Sequence, residues 1–189
     1  GMKRIFFFSS FIVSLCAQAQ TDNYKNWLNT VPEIKFSDST YLGIPTEIKQ
    51  ATGDDIIKSY LFPLYTESQK KQVYAVTGKI TTLSDYDILL LYRYNFYRDS
   101  LWMKHLFLCT MSKSGSLLHY TRVAEILFDT QIGNRESSSW FYKNGSFITS
   151  MKGMMMKQSF ENRKRFTINH YGVVVNDPDF SKAPGHQHD

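Results

Sequence analysis

The fold of this chain is decided by residues 86–94, which read Tyr-Asp-Ile-Leu-Leu-Leu-Tyr-Arg-Tyr. Successive side chains of a β-strand point to opposite faces of the sheet, and here both faces are largely apolar. A strand that is apolar on both faces is typical of a central position, where each side of the sheet is covered. The pattern therefore predicts a buried central strand, around which the other segments can be arranged.

Alternation of apolar and polar residues continues on both sides of this strand. It predicts further strands at 73–82, 102–111, 117–127, 140–143, 147–150, 165–169 and 173–175. Asn144-Gly145 is a strong signal for a tight hairpin turn, and Lys113–Ser116 predicts another hairpin loop. The polar run 129–138 is expected to be the longest connection. No helix is expected between these strands, so the sequence predicts a mainly β fold, an antiparallel meander that forms a β-sandwich or an open barrel.

One or two short helices are expected before the first strand. Residues 22–28 can form a short helix, and residues 55–62 place Ile56, Ile57 and Tyr60 at helical spacing. Asp54 or Asp55 is a suitable N-cap for the second helix, which Pro63 would end.

The N-terminal segment reads as a secretory signal peptide. Gly1 precedes Met2 and is interpreted as a cloning remnant; two basic residues follow, then twelve mostly apolar residues at 5–16 and Ala-Gln-Ala at 17–19. The expected organisation is a leader at 1–19, a single β-rich domain at 20–175 and a disordered tail at 176–189. Such a leader predicts that the chain is exported to the periplasm or the cell exterior. Lipid attachment at Cys16 and a buried N-terminal helix or strand are the alternatives.

The charge balance does not indicate a nucleic-acid partner. The chain has 22 basic and 17 acidic residues, and loss of the leader removes two basic ones, Lys3 and Arg4. The remaining basic residues are scattered instead of forming a stripe. No other apolar run reaches the roughly 20 residues of a membrane helix, so no transmembrane segment is expected in the mature chain. Cys109 lies in an apolar strand pattern and is expected to be a buried, unreactive thiol.

A methionine cluster is the first candidate site. Met151, Met154 and Met156 have Met-x-x-Met and Met-x-Met spacings. Thioethers are soft ligands that select Cu(I), which makes this a candidate metal site. Methionine is also an adaptable filler of hydrophobic cores, and that is the alternative reading.

Aromatic residues give the second candidate site. Trp102, Trp140 and Tyr142 lie on predicted strands. In an exported β protein such rings can stack on sugars or line a cavity for an apolar ligand, although most aromatic residues of a sheet belong to its core. A glycan or another component of the envelope is the expected partner.

Motifs of the common enzyme classes do not occur in the sequence, and no cofactor is expected. The first functional hypothesis is a non-catalytic exported β domain with a binding or structural role at the cell envelope. The alternatives are a carrier of a small ligand or of Cu(I), and a hydrolase with a dispersed active site. The hydrolase would need His119 or His170 beside a carboxylate in a deep pocket.

Three segments together with the leader resemble a known group of proteins. These segments are 86–93, 106–110 and 113–118. They resemble small exported β-rich proteins of unknown function from gut-type Gram-negative anaerobes. The resemblance rests on the strand pattern over residues 55–175 and implies no activity or site residue.

Overall fold

The computed structural model describes residues 5–35, 38–66, 71–81 and 85–178, with side chains from residue 18 onward. The chain begins with helix α1 (Ile5–Thr30), and helix α2 (Asp54–Tyr60) is followed by a short 3-10 helix (Phe62–Leu64). The strands are β1 (Ser39–Leu42), β2 (Gln72–Ile80), β3 (Tyr86–Arg98), β4 (Leu101–Ser112), β5 (Leu117–Asp129), β6 (Gly133–Tyr142), β7 (Ser146–Met155), β8 (Gln158–Ile168) and β9 (Val174–Asp177).

The strands form one antiparallel meander in the order β2 to β9. Strand β5 pairs with β6 only from Glu125 to Asp129, next to the turn that joins them. Beyond that point β6 separates from β5 and pairs instead with β1, through Ser139–Tyr142. The sheet is not closed into a barrel.

The two halves of the sheet share one core. Strands β2–β5 contribute residues such as Leu90 and Leu108, and the later strands contribute Phe141, Phe147 and Ile168 to the same buried cluster. A sheet whose two halves bury a common cluster has folded over on itself, which is the arrangement of a sandwich.

A second core lies on the other face of β2–β4, beneath the helices. Tyr24 of α1 and Ile57 of α2 are fully buried there against Leu89, Leu91 and Cys109. Strand β3 therefore has a core on each side, and the prediction from residues 86–94 that it is a buried central strand is confirmed.

The mainly β, antiparallel fold is confirmed, with two corrections to its elements. The predicted long connection at 129–138 is wrong, because residues 133–142 form strand β6 and the turn is short. Strand β7 also continues to Met155 and strand β8 begins at Gln158, although the sequence predicted no strand between residues 150 and 165.

Smaller corrections concern the ends of elements. The N-cap of α2 is Gly53, not Asp54 or Asp55, and no side chain caps the helix. Asp87, next to the start of β3, is buried and paired with Lys113. Asn176 and Asp177 belong to strand β9, and the rest of the predicted tail, beyond residue 178, lies outside the described residues.

The predicted leader overlaps helix α1, which also contains residues 22–28. Tyr24 is fully buried and Trp27 packs beside it, so the part of α1 that follows the predicted cleavage point belongs to the domain. Whether residues 1–19 are removed stays a prediction. Within the described residues, none of the helices is long and apolar enough to cross a membrane.

Candidate functional site: an aromatic groove across strands β4–β8

One row of side chains crosses the sheet near the turns of its hairpins. Cross-strand partners run from Trp102 through Phe128, Asn134 and Met154 to Ser159. Residues directly opposite one another in antiparallel strands share a face, so these five side chains belong to one side of the sheet. This side is called the groove face below.

The next row on the groove face carries charges. Ile126 lies opposite Glu136, which lies opposite Lys152, which in turn lies opposite Glu161. Lys152 Nζ is 2.8 Å from a carboxylate oxygen of Glu136. This hydrogen bond and the charge of Glu136 raise the pKa of Lys152, which therefore stays protonated.

The two rows border a groove of about 720 Å³. Its lining includes Trp102, Ile126, Phe128, Glu136, Lys152 and Met154. A second depression of about 370 Å³ shares Ile126, Glu136, Lys152 and Glu161 with the first and extends to Tyr41. Together they form a continuous groove of a size that is ordinary for a small-ligand site.

An aromatic platform forms one end of the groove. The rings of Trp102 and Phe128 are stacked, with centroids 5.3 Å apart and planes inclined by 12°. Tyr94 contacts Trp102 edge-on, and the ammonium group of Lys104 lies 5.5 Å from the Trp102 ring. The platform is therefore held from several sides while its rings stay partly open to solvent.

A second aromatic pair lies at the other end. Tyr41 and Trp140 meet edge-to-face at 5.5 Å, and they are 56% and 50% exposed. Because side chains alternate along β6, Trp140 and Tyr142 share a side of this strand with Asn134 and Glu136, and Trp140 lies about 20 Å along the strand from Asn134. Of the three predicted ligand-binding residues, Trp102 lines the groove, whereas Trp140 and Tyr142 do not line it; Trp140 contacts Tyr41, which does.

The three predicted metal ligands are not brought together on one face. Met151 lies opposite Ser137, and Met154 lies opposite Asn134, so the two methionines point to different sides of the sheet. Met154 lines the groove, and Met156 is 80% exposed in the turn between β7 and β8. The described residues contain no group of three or more His, Cys, Asp or Glu side chains that could hold a metal ion.

A buried charge cluster was not anticipated from the sequence. Glu125 is fully buried, and its carboxylate accepts hydrogen bonds from Arg122 and Arg135. His105 Nε2 lies 3.1 Å from the same carboxylate, and a guanidinium nitrogen of Arg93 is 3.5 Å from the other ring nitrogen. These side chains lie on the face of the sheet opposite to the groove, since Glu125 alternates with Ile126.

The pKa values in this cluster follow from its geometry. Burial alone would raise the pKa of Glu125, but hydrogen bonds from His105 and Arg135 and the charge of Arg122 outweigh burial and lower the pKa to about 2. Burial lowers the pKa of His105; its hydrogen bond with Glu125 acts in the opposite direction, and the positive charge of Arg93 adds to the lowering. Glu125 is thus ionised and His105 neutral at neutral pH.

The arrangement expected of a hydrolase is not found at the two histidines named above. His119 lines a depression of about 450 Å³ whose other lining residues are Pro63, Leu117, Leu118 and Tyr120, none of them a carboxylate. His170 packs against the ring of Tyr171, with centroids 3.7 Å apart. In the described part of the chain, the structure shows a histidine in contact with a carboxylate at His105 and Glu125, and this pair is buried.

Comparison of the chain with protein-family models, with curated proteins and with solved structures finds no match. The function must therefore be inferred from the groove and its side chains.

Proposed function

We propose that this protein is a non-catalytic carbohydrate-binding protein of the cell envelope and that the groove face is its binding site. The observation that carries the proposal is the continuity of the groove from the Trp102–Phe128 platform to Tyr41, whose ring is in contact with the exposed Trp140, with a row of charged side chains between them.

The chemistry of the groove suits sugar rings. A sugar presents an apolar face of C–H groups, which can lie on an aromatic ring, and a rim of hydroxyl groups, which need hydrogen-bond partners. Glu136, Lys152 and Glu161 supply donors and acceptors between the aromatic ends. Trp140 is half exposed and so offers its ring without displacing any part of the core.

The leader predicted at residues 1–19 supports the location. It addresses the chain to the periplasm or the cell exterior, where bacterial and host glycans are present. A binding role at the envelope agrees with both the leader and the open shape of the groove.

The proposal is tested by binding to a panel of soluble oligosaccharides, measured by tryptophan fluorescence and then by titration calorimetry. Long oligosaccharides that reach both aromatic ends are expected to bind more tightly than disaccharides. Trp102→Ala and Trp140→Ala should each weaken binding by about tenfold, as expected when an aromatic contact residue is truncated.

Phe62→Ala is the matched control, because Phe62 is 65% exposed in the 3-10 helix and does not line the groove. This variant should bind as the parent protein does. The proposal would be wrong if no member of a broad panel gave a response. It would also be wrong if the Trp102→Ala and Trp140→Ala variants bound oligosaccharides as tightly as the parent protein.

A further inference from the structure

We infer that the carbohydrate bound in this groove carries an alkyl or acyl chain, so that the ligand class is a glycolipid. The inference rests on the proposed function and adds an apolar chain to the proposed sugar ligand. It is argued from the distribution of apolar and charged side chains along the groove.

The end of the groove formed by Trp102 and Phe128 is more apolar than a sugar requires. Ile126 and Met154 complete this end, and Met154 is 58% exposed although its thioether side chain is apolar. Methionine is flexible and adapts its shape to the ligand, which suits a chain with many conformations.

The apolar surface continues beyond the groove to two neighbouring turns. The backbone N–H of Met156 donates to the carbonyl of Ile132 over 2.8 Å, which fixes the β7–β8 turn beside the β5–β6 turn. Ile132 is 40% and Met156 is 80% exposed. Exposed apolar side chains grouped beside a groove are typical of an interaction site, whereas single ones are ordinary.

The polar part of the ligand would lie one row away. Glu136, Lys152 and Glu161 are displaced from the row of Met154 by two residues along each strand, which is about 7 Å. Two carboxylates and one ammonium group line this row, and the ammonium is paired with Glu136. Arg135 also lines the groove, but its guanidinium is paired with the buried carboxylate of Glu125. This balance favours an uncharged sugar head group over an anionic one, since an anion would face the surplus carboxylate.

The ligand therefore has a neutral sugar on the charged row and an apolar chain along Phe128 and Met154 toward Ile132 and Met156. An amphiphile with these two parts contacts both rows of side chains, whereas a sugar alone leaves the apolar end unfilled and a fatty acid alone leaves the charged row without a partner.

The test is calorimetric titration of the full chain with alkyl glucosides and alkyl maltosides of increasing chain length, each kept below its micelle concentration, with maltose as the chainless reference. Each added methylene that becomes buried should tighten the dissociation constant by up to about fourfold. Dodecyl sulfate, which has the same chain and an anionic head, should bind more weakly than dodecyl maltoside.

Met154→Ser is the informative variant, because the exposed side chain can be changed without disturbing the core. It should reduce the gain per methylene, and maltose is titrated in parallel so that any effect on the sugar part is measured separately. Phe62→Ser, at a residue that does not line the groove, is the control for added polarity on the surface. It should change neither the gain per methylene nor the binding of maltose.

The outcomes separate the two proposals. Sugar binding without any gain from the chain overturns the glycolipid inference and leaves the carbohydrate proposal in place. Equal binding of dodecyl sulfate and dodecyl maltoside overturns the recognition of a sugar head group. If no alkyl glycoside binds, the glycolipid inference is wrong, and the carbohydrate proposal is then decided by the oligosaccharide panel alone.

Discussion

His105 Nε2 lies 3.1 Å from a carboxylate oxygen of Glu125, and both side chains are buried between strands of one sheet. Their positions are opposite each other in adjacent strands, so the contact is a direct consequence of the β4–β5 register. A buried carboxylate is tolerated only when it is paired, and Arg122 and Arg135 supply the positive charges.

Removal of the carboxylate should destabilise the fold. Glu125→Ala leaves Arg122 and Arg135 without their partner, and we expect the free energy of unfolding to fall by about 2–4 kcal/mol. This expected loss of stability is smaller than for a completely buried ion pair, because both arginine side chains reach solvent. Urea denaturation followed by circular dichroism measures the change.

Glu136→Ala is the matched control, since Glu136 also pairs with a basic residue but lies on the surface. It should leave the unfolding midpoint nearly unchanged. Equal effects of the two substitutions would contradict the structural role assigned to Glu125.

Stability is expected to fall as the pH is lowered. Glu125 has an ordinary pKa of 4.5 and a pKa of about 2 in the folded protein, so its contribution is complete above pH 4.5 and is lost as the pH falls toward 2. The pKa of His105 is lowered from 6.5 in the folded state, so protonation at pH below 6.5 favours unfolding. Both groups act in the same direction.

Thermal unfolding measured between pH 7.5 and pH 3 tests this expectation. The melting temperature should decrease over the whole range, and Glu125→Gln should reduce the decrease between pH 4.5 and pH 3. A melting temperature independent of pH, or one that rises on acidification, would contradict the assigned pKa directions.

The turn between β7 and β8 should be improved by substitution. Met156 and Lys157 have φ values of 49° and 67°, a conformation that costs a non-glycine residue about 1–2 kcal/mol. A two-residue hairpin turn with both φ positive favours Asn-Gly. We expect Met156→Asn with Lys157→Gly to raise the free energy of unfolding by about 1 kcal/mol, measured by urea denaturation.

The same double variant is informative for ligand binding. It removes one of the apolar side chains beside the groove and should weaken binding of long-chain alkyl glycosides while binding of free sugar is retained.

Ser114→Gly, placed in another hairpin loop, serves as the control for added backbone freedom and should not increase stability.

Gly153 permits the close approach of strands β6 and β7 at the groove. A Cβ atom at this position would lie 2.5 Å from the carbonyl oxygen of Asn134 and 2.7 Å from Cβ of Arg135. Gly153→Ala should therefore destabilise the protein by about 1–3 kcal/mol, as overpacking does. Ser150→Ala, on the same strand, should be nearly neutral by chemical denaturation, and a neutral Gly153→Ala would contradict the close packing.

The sequence predicted strands well wherever a buried side chain is apolar. Strand β3 was found for this reason, whereas the hairpin at Asn144-Gly145 was found from its turn residues. Strand β6 was missed over residues 133–138 because its buried positions include Ser137, a polar residue that gives no hydrophobic alternation. Strand β8 was missed in its first half because residues 161–165 are exposed on both faces, so both faces are polar.

The candidate site was predicted in part. Trp102 and Trp140 could be named from their residue type, but their positions relative to each other depend on the register of three strands, β4, β5 and β6. Glu125 and His105 are separated by 20 positions in the chain, and nothing local indicates that they meet. The neighbours of Glu125, which are Val123, Ala124 and Ile126, are apolar. This is the one signal in the sequence that Glu125 is buried.

Strand β5 contains an extra residue, Val123, opposite the step from Leu106 to Phe107. In a regular strand, Arg122 and Glu125 would project from opposite sides, because three positions separate them. The bulge reverses the side-chain alternation once, and the two charges thereby come to the same side. If Val123 were kept but the bulge were lost, Arg122 would project toward the shared core of the two sheet halves, so the irregularity of the strand at this point is as tightly specified as the identity of any of its side chains.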